Sequence, residues 1–533
     1  MPLRNTSLKR GTPDQPADPS AIARYRIILF VILGTSLGLR VIRLFRTIVV
    51  SPDSPGYIRD ALSIGTDGLR SLFLDGFYGN FSIYPIFLYL VNLLVQNPIL
   101  SGQLVSLLFG CLLIVPIYFL VTETMGPRAG LCAAFLAAIH PYLIKYSADV
   151  LKDSMLFFFA VTSFALALRG HENRRYLLAF LAGVAAWTTS LVRVYGIVVV
   201  VSISVAIIIM GLVDRRKWHE TARELVLFAL PVPVLGYLIF LLYVGPGREY
   251  ITGTVIYLSL TVSHKFLLVG SYADILMANN PGMDPYYLKM ITSYPWLSAF
   301  RTFLDVLVTA SSGVITVLFL IGIYLGRSSL IKRGPGLFVL TCAAVLVLVD
   351  VFIVMSLFFL SKRHAMILVI LLLPWAALAL DRIIVWCQER AQRKYKIEPT
   401  SFGSILSVFF IATVILTLIF TSFLDPELDK RYYKRAAGEY IKSLGQPNPI
   451  LVIPPSDRLT VFYSGGTEII YHDPAALETT ITREKPEYIL WDTDSGPLPE
   501  PIIALAASGV IEEIQTIRGA EDNSIVIYRI KAD

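Results

Sequence analysis

Gly102-Gln-Leu-Val-Ser-Leu-Leu-Phe-Gly110-Cys-Leu-Leu-Ile-Val-Pro-Ile-Tyr-Phe-Leu120-Val-Thr122 carries no charge over about twenty positions. As a helix rising 1.5 Å per residue, it is long enough to cross about 30 Å of hydrocarbon. Similar runs occupy roughly 27 to 41, 83 to 95, 129 to 144, 154 to 168, 176 to 192, 195 to 213, 225 to 244, 302 to 325, 337 to 360, 365 to 386 and 404 to 424, giving twelve candidates in all. The composition agrees. With 55% hydrophobic residues, 16% charged residues and a mean hydropathy of +0.66, a soluble enzyme is excluded and a polytopic membrane protein is expected. The net charge of +7 fits cytoplasmic loops and contact with membrane lipid, and implies no nucleic acid partner. Cys111, Cys132, Cys342 and Cys387 lie in or beside apolar runs without CxxC spacing, so neither disulfides nor structural zinc is expected.

Basic residues set the expected topology, because cytoplasmic loops retain positive charge. They cluster at Lys9, Arg10, Arg24 and Arg26; at Arg169, Arg174 and Arg175; at Arg215, Arg216, Lys217 and Arg223; at Arg327, Lys332 and Arg333; and at Arg390, Arg393, Lys394 and Lys396. If all are cytoplasmic, an even number of spans separates each cluster from the next. Five runs precede Arg169, so one does not cross, and Ile83 to Val95 is the shortest. This predicts about eleven transmembrane helices, a cytoplasmic tail over 1–26, a membrane domain over 27–424 and an external C-terminus. The external loops are then 46–101, holding short juxtamembrane helices, 141–153 and 245–300.

The tail 425–533 changes character, with short apolar runs at Pro449 to Ile453, Glu468 to Tyr471, Tyr488 to Trp491 and Ser524 to Ile530. These alternate with helix-like segments at Ser456 to Tyr463, Pro474 to Arg483 and Pro501 to Ala507, which predicts a small external α/β domain. Ser456 and Asp473 stand at expected helix N-caps, and Gly465-Gly466 marks a turn without a phosphate-loop context.

Polar groups gather in the expected external loops. Asp53 opens the first loop as a candidate general base at the membrane surface, with Tyr57 one helical turn on. An Asp between Pro and Gly also caps helices and opens turns. In the second loop Asp149 and Asp153 are spaced i, i+4 and are therefore expected on one helix face, and Asp153 can equally cap the following span. Arg193, Lys362, Arg363 and His364 lie at external turns, where the positive-inside rule does not place cations. They suit phosphate recognition, or else snorkelling to lipid headgroups. His264 and Lys265 in the third loop are candidates of the same kind, and Asp350 is an isolated intramembrane carboxylate.

These residues resemble the GT-C glycosyltransferases, particularly the branch with family 39 enzymes, protein O-mannosyltransferases and the lipid A aminoarabinose transferase. The resemblance is carried by Asp53-Ser-Pro-Gly-Tyr57-Ile-Arg-Asp-Ala61, Tyr84-Pro85-Ile-Phe-Leu, and His140-Pro141-Tyr142 running into Val150-Leu-Lys-Asp153. It continues through Gly183 to Arg193, Arg363-His364 with Pro374, and Val461-Phe-Tyr463-Ser-Gly465. It implies a polyprenyl-phosphate sugar donor, an acceptor hydroxyl on a lipid, glycan or protein, and a site open to the external face of a bacterial inner membrane. Asp53 and Asp153 become the catalytic candidates, Asp53 as base and Asp153 orienting the acceptor or sharing a cation. Arg193, Arg363, His364, His264 and Lys265 become donor-phosphate candidates, and Tyr57, Tyr84 and Asp149 substrate-positioning ones. Relatives often carry Asp-Glu or a Glu in the two acidic motifs, where this chain has Asp53-Ser54 and Asp153, so a divalent cation (Mg or Mn) on Asp53 and Asp153 stays an open expectation. A carboxylate that deprotonates the acceptor for direct displacement would invert the anomeric centre. A transporter or flippase of lipid-linked sugars is the alternative, although transporters concentrate ionisable groups mid-span. A third class is a non-enzymatic assembly protein that binds a partner through its tail.

Overall fold

The computed structural model describes residues 19–74, 82–231, 293–330, 334–357, 360–395, 431–454, 457–471, 477–496, 498–519 and 523–531, with 289, 412 and 415 singly. Six helices among them are long and apolar enough to cross a membrane: Ile22–Arg46, Pro98–Met125, Asp153–Glu172, Val194–Val213, Gly334–Met355 and Lys362–Glu389. Two bent pairs raise this to eight at most, Pro127–Ala138 with Pro141–Ser147 at 58° and Trp296–Ala310 with Val314–Gly326 at 107°. The expected count of about eleven is thus not reached among the described residues. The run 302–325 breaks sharply near Ser311 to Gly313, where Ser312 and Gly313 adopt positive φ. Tyr176–Val192 is a shorter apolar helix, and the runs 225–244 and 404–424 lie largely outside the described residues. The suspected non-crossing run forms Tyr84–Val95, twelve residues long, which rise only about 18 Å.

Helix ends sort the charges. The helix Asp153–Glu172 carries Asp153 at its start and Arg169 and His171 in its last turn. At that far end His171 Nδ1 faces Glu224 at 3.0 Å and its Nε2 faces Asp214 at 3.3 Å, while Arg216 reaches both carboxylates. Arg174, Arg175 and Arg216 line one small pocket there with Glu220 and Glu224. Two of the basic clusters therefore share one end of the bundle, while Asp153, Arg193 and Arg363 meet at the other.

The tail forms a five-stranded sheet in the order β2-β1-β3-β5-β4. Its strands are β1 (Ile450–Ile453), β2 (Thr467–Ile470), β3 (Tyr488–Asp492), β4 (Ile511–Arg518) and β5 (Ser524–Ile530). The first three are parallel, and β5 runs antiparallel to β3 and β4. Parallel strands need both faces covered, and two apolar clusters do this, one around Tyr433, Ile441 and Leu490 and the other around Val452, Ile489 and Ile502. Gly465 takes φ +72° to end the helix Arg458–Ser464, and a side chain on Gly466 would meet the Pro449 carbonyl at 2.3 Å. The proposed caps Ser456 and Asp473 lie outside the described residues.

Candidate active site

The site is built where the segments carrying Asp53, Asp153, Arg193 and Arg363 meet. The first helix finishes at Arg46, and the chain crosses Thr47 to Pro52 before turning into the helix Ser54–Asp67. Asp53 occupies the N-cap position of that helix, yet its side chain makes no cap hydrogen bond. It instead meets Arg363 Nη1 at 2.5 Å, across 310 residues of sequence. Pro55, near the start of the helix, costs little because the first helical N–H groups have no intrahelical partner.

Asp153 is the first residue of its helix and is 1% exposed. A carboxylate there is favoured by the helix dipole, and two guanidinium groups add to this, Arg193 Nη1 at 3.1 Å and Arg363 Nη1 at 3.7 Å. Arg363 also donates from Nη2 to Ser51 Oγ at 3.2 Å. Arg363 thus bridges both acids and the segment just before Asp53. Lys362 and Arg363 stand at the start of the helix Lys362–Tyr395, the end where its dipole opposes cations. Anionic partners offset that conflict.

Asp149 departs from the expected arrangement. Residues 149–152 form a bend between the helices Pro141–Ser147 and Asp153–Glu172, so Asp149 and Asp153 do not share a helix face. Asp149 Oδ1 accepts from the Ser51 and Val150 N–H groups at 3.2 and 2.7 Å, and Ser54 Oγ donates to the Val150 carbonyl at 3.0 Å. Burial pushes the Asp149 carboxyl up from its ordinary range, against the opposing pull of those N–H groups. Its place is to join the second loop to the first. Tyr84 is fully buried, with its hydroxyl bonded to the Gly102 carbonyl and Ser106 Oγ at 3.0 Å each, so it braces the packing beneath the site. Tyr57 packs edge-on against Tyr84 at 5.5 Å and is 6% exposed.

Three features escaped the reading of the sequence. Lys152 Nζ lies 5.2 Å over the Tyr57 ring. Burial, and then Arg193, lower its pKa to about 8, while Asp153, Asp53 and Asp60 pull it upward. Arg193 and Arg363 are engaged by acids, whereas Lys152 has no carboxylate within ion-pair distance among the described residues. The adjacency Lys152-Asp153 at a span's start was its only signal. Second, Tyr195 donates to Asp350 Oδ1 at 2.6 Å and packs edge-on against His364 at 4.8 Å, which ties the intramembrane acid to the site. Third, Lys362 Nζ bonds to Tyr142 OH at 3.1 Å. His264 and Lys265 lie outside the described residues.

A divalent cation between Asp53 and Asp153 does not fit this arrangement, because Arg363 Nη1 already stands within reach of both carboxylates. Among the described residues no group of three or more His, Cys, Asp or Glu side chains is placed to hold a metal.

Fold and site together define an integral membrane protein whose bundle gathers acids and guanidinium groups at one end, beside an α/β tail domain. The family model described as dolichyl-phosphate-mannose-protein mannosyltransferase matches residues 83–246, a stretch that includes Asp153 and Arg193 but neither Asp53 nor Arg363. The structure is similar to the oligosaccharyltransferase of Archaeoglobus fulgidus solved with Zn and sulfate, at 14% identity and a TM-score of 0.58, covering 88% of this chain and 68% of that one. It is similar also to the archaeal oligosaccharyltransferase AglB from Archaeoglobus fulgidus in complex with an inhibitory peptide and a dolichol-phosphate, at 14% identity and a TM-score of 0.56, over 90% of this chain and 70% of that one. ArnT from Cupriavidus metallidurans bound to undecaprenyl phosphate matches at 13% identity and a TM-score of 0.55, over 96% of this chain and 98% of that one. No curated protein matches by sequence. The chain shares the fold of these solved structures, in agreement with the resemblance of its motifs.

Proposed function

We propose that this protein transfers a sugar from a polyprenyl-phosphate donor to an acceptor hydroxyl, with Asp53 as general base and inversion at the anomeric carbon. The observation that carries the reading is Arg363 bridging Asp53 and Asp153 where several helices begin. The donor's phosphate leaves as a stable anion and needs stabilised charge more than a proton. Arg363, Arg193 and Lys152 supply cations, and the starts of the helices Asp153–Glu172, Ile197–Val213 and Lys362–Tyr395 add positive dipole ends. The acceptor hydroxyl must lose its proton as it attacks, a task for a positioned carboxylate. Asp53 is 28% exposed and Asp153 is 1% exposed, so Asp53 is the acid an acceptor can reach. Asp153 orients the two guanidinium groups.

In this reading the site faces the external side, with a cytoplasmic N-terminus and an external C-terminus, a proposal supported by the basic clusters at the opposite end of the bundle and the positive-inside rule. The proposed location is a bacterial inner membrane. The acceptor is a lipid, glycan or protein hydroxyl. No specific observation favours a transporter. The test presents the purified protein with undecaprenyl phosphate carrying mannose, glucose or arabinose and measures release of undecaprenyl phosphate with a hydroxyl acceptor. Release from at least one donor is expected, and failure of all three together with failure to bind undecaprenyl phosphate overturns the reading.

Two further outcomes follow from the site. Because Arg363 takes the position between the acids, EDTA leaves transfer unchanged; loss of activity with EDTA and its return with Mg or Mn overturns the metal-free mechanism. Lys152 is cationic below about pH 8 and neutral above it, and a phosphate ligand needs the cation. Undecaprenyl phosphate affinity therefore falls roughly tenfold between pH 7.5 and 9, and Lys152→Arg removes most of that dependence. A pH profile unaltered in Lys152→Arg rejects this role.

A further inference from the structure

We propose that the tail domain is a clamp on the loop that carries Asp53, with Tyr463 and Arg435 as positioning residues. The inference rests on the reading of Asp53 as base, but its physical basis is separate. Within Thr47 to Pro52 only the Thr47 N–H, on the Leu44 carbonyl, and the Ser51 carbonyl, under the Ser54 N–H, have local backbone partners, and the Ile48 carbonyl and the Val50 and Ser51 N–H groups are satisfied by other parts of the chain. From the membrane domain, Asp149 takes the Ser51 N–H and Arg363 holds Ser51 Oγ. From the tail, Tyr463 OH accepts the Val50 N–H at 3.1 Å and Arg435 Nη1 donates to the Ile48 carbonyl at 2.6 Å. Val50 is 2% exposed, so loss of its partner leaves a buried N–H unsatisfied. Leu459, from the same tail helix as Tyr463, is buried in the apolar cluster of the membrane domain.

The two tail contacts are coupled. Arg435 lies 5.5 Å over the Tyr463 ring, and the helices that bear them, Tyr432–Ser443 and Arg458–Ser464, are joined by a buried polar cluster. In that cluster Lys434 bonds to Asp492 and lies 4.0 Å from Asp457, the residue just before the second helix. Tyr433 OH donates to Asp492 and Asp494 at 3.1 and 2.8 Å. The cluster sits at the ends of β1 and β3, the place where an open α/β sheet reverses its strand order and where such folds commonly bind ligands. Here the chain's own Lys434 fills it. The result is a rigid platform whose two helices fix Ile48 and Val50, three to five residues before Asp53. Removing the clamp leaves Arg363, Lys152 and Arg193 in place, so it disturbs the base more than donor binding.

The test uses the full chain in lipid nanodiscs, comparing the parent with Tyr463→Phe, Arg435→Met and Arg435→Lys. Amide hydrogen exchange over residues 47–56 is expected to rise about tenfold in the first two variants and to stay near parental in Arg435→Lys, which keeps a donor for the Ile48 carbonyl. With the sugar donor that the parent accepts, kcat falls about tenfold in the first two variants, while KM and undecaprenyl phosphate affinity stay within about twofold, on the scale of one lost buried hydrogen bond. Unchanged exchange in both variants overturns the clamp. Raised exchange with parental kcat overturns the positioning role, and so does a fall in kcat matched by loss of protection throughout the tail domain, which would signify unfolding. If the parent neither transfers sugar nor binds undecaprenyl phosphate, the glycosyltransferase reading fails while the exchange measurement still decides whether the tail holds this loop.

Discussion

Replacing Asp53 by Asn lowers sugar transfer by about 10² or more, the usual scale for loss of a general base, while undecaprenyl phosphate binding survives. The substitution preserves size and an oxygen that can accept from Arg363, so the loop keeps its contacts through Ser51, Ser54 and Asp149. What disappears is the negative oxygen that takes the acceptor's proton. Because the Asp53 side chain makes no helix-cap hydrogen bond, the change does not expose helical N–H groups that the carboxylate had satisfied. Kinetics on purified protein with parental thermal stability settle the matter, and a parental transfer rate would remove Asp53 from the role. Asp153 is then the remaining acid, although its burial between two arginines suits orientation better than proton transfer.

Arg363→Met carries the second large effect, a fall in kcat/KM of about 10³, equivalent to roughly 4 kcal/mol of lost transition-state stabilisation. It differs from the Asp53 variant in also weakening undecaprenyl phosphate binding, because the same cation serves the bound donor and the departing phosphate. It also leaves Asp53 without its counter-ion and Asp153 with Arg193 alone. Arg363→Lys recovers only part of the activity, since a single ammonium cannot reproduce a fork that reaches Asp53, Asp153 and Ser51 at once. The comparison is made by titrating undecaprenyl phosphate and by measuring transfer across donor concentrations. Parental binding with impaired turnover would confine Arg363 to the chemical step and overturn its share in donor recognition.

Much of the architecture was legible because it depends on local physics. A charge-free run such as Gly102 to Thr122 must form a helix in a bilayer, whatever surrounds it, since each backbone group needs an internal partner there. The apolar strands β1, β2, β3 and β5 stood out from their flanking polar segments for a similar reason. The strand β4 did not. Its sequence Ile511-Glu-Glu-Ile-Gln-Thr-Ile-Arg518 lies at the sheet edge with a single buried residue, Ile511, and a bulge between Glu513 and Gln515 interrupts its alternation. The helix Tyr432–Ser443 was missed too, because its buried positions include Lys434 and Gly438, which an apolar pattern does not count.

The candidate site divides along the same line. By itself the sequence determined that this is a polytopic membrane protein, that acids and cations sit at the ends of its apolar runs, and that an α/β domain follows, because composition and periodicity act over a few residues at a time. Only the tertiary structure decided which of those charges meet. Asp53 and Arg363 lie 310 residues apart, Asp153 and Arg193 lie 40 apart, and Val50 reaches Tyr463 across 413. The tertiary structure also turned Asp149 into a brace, buried Tyr84, and brought Lys152 over Tyr57. Pairings of this kind depend on how helices pack and where each one ends, and no local pattern of residues encodes the partner that a buried charge will find.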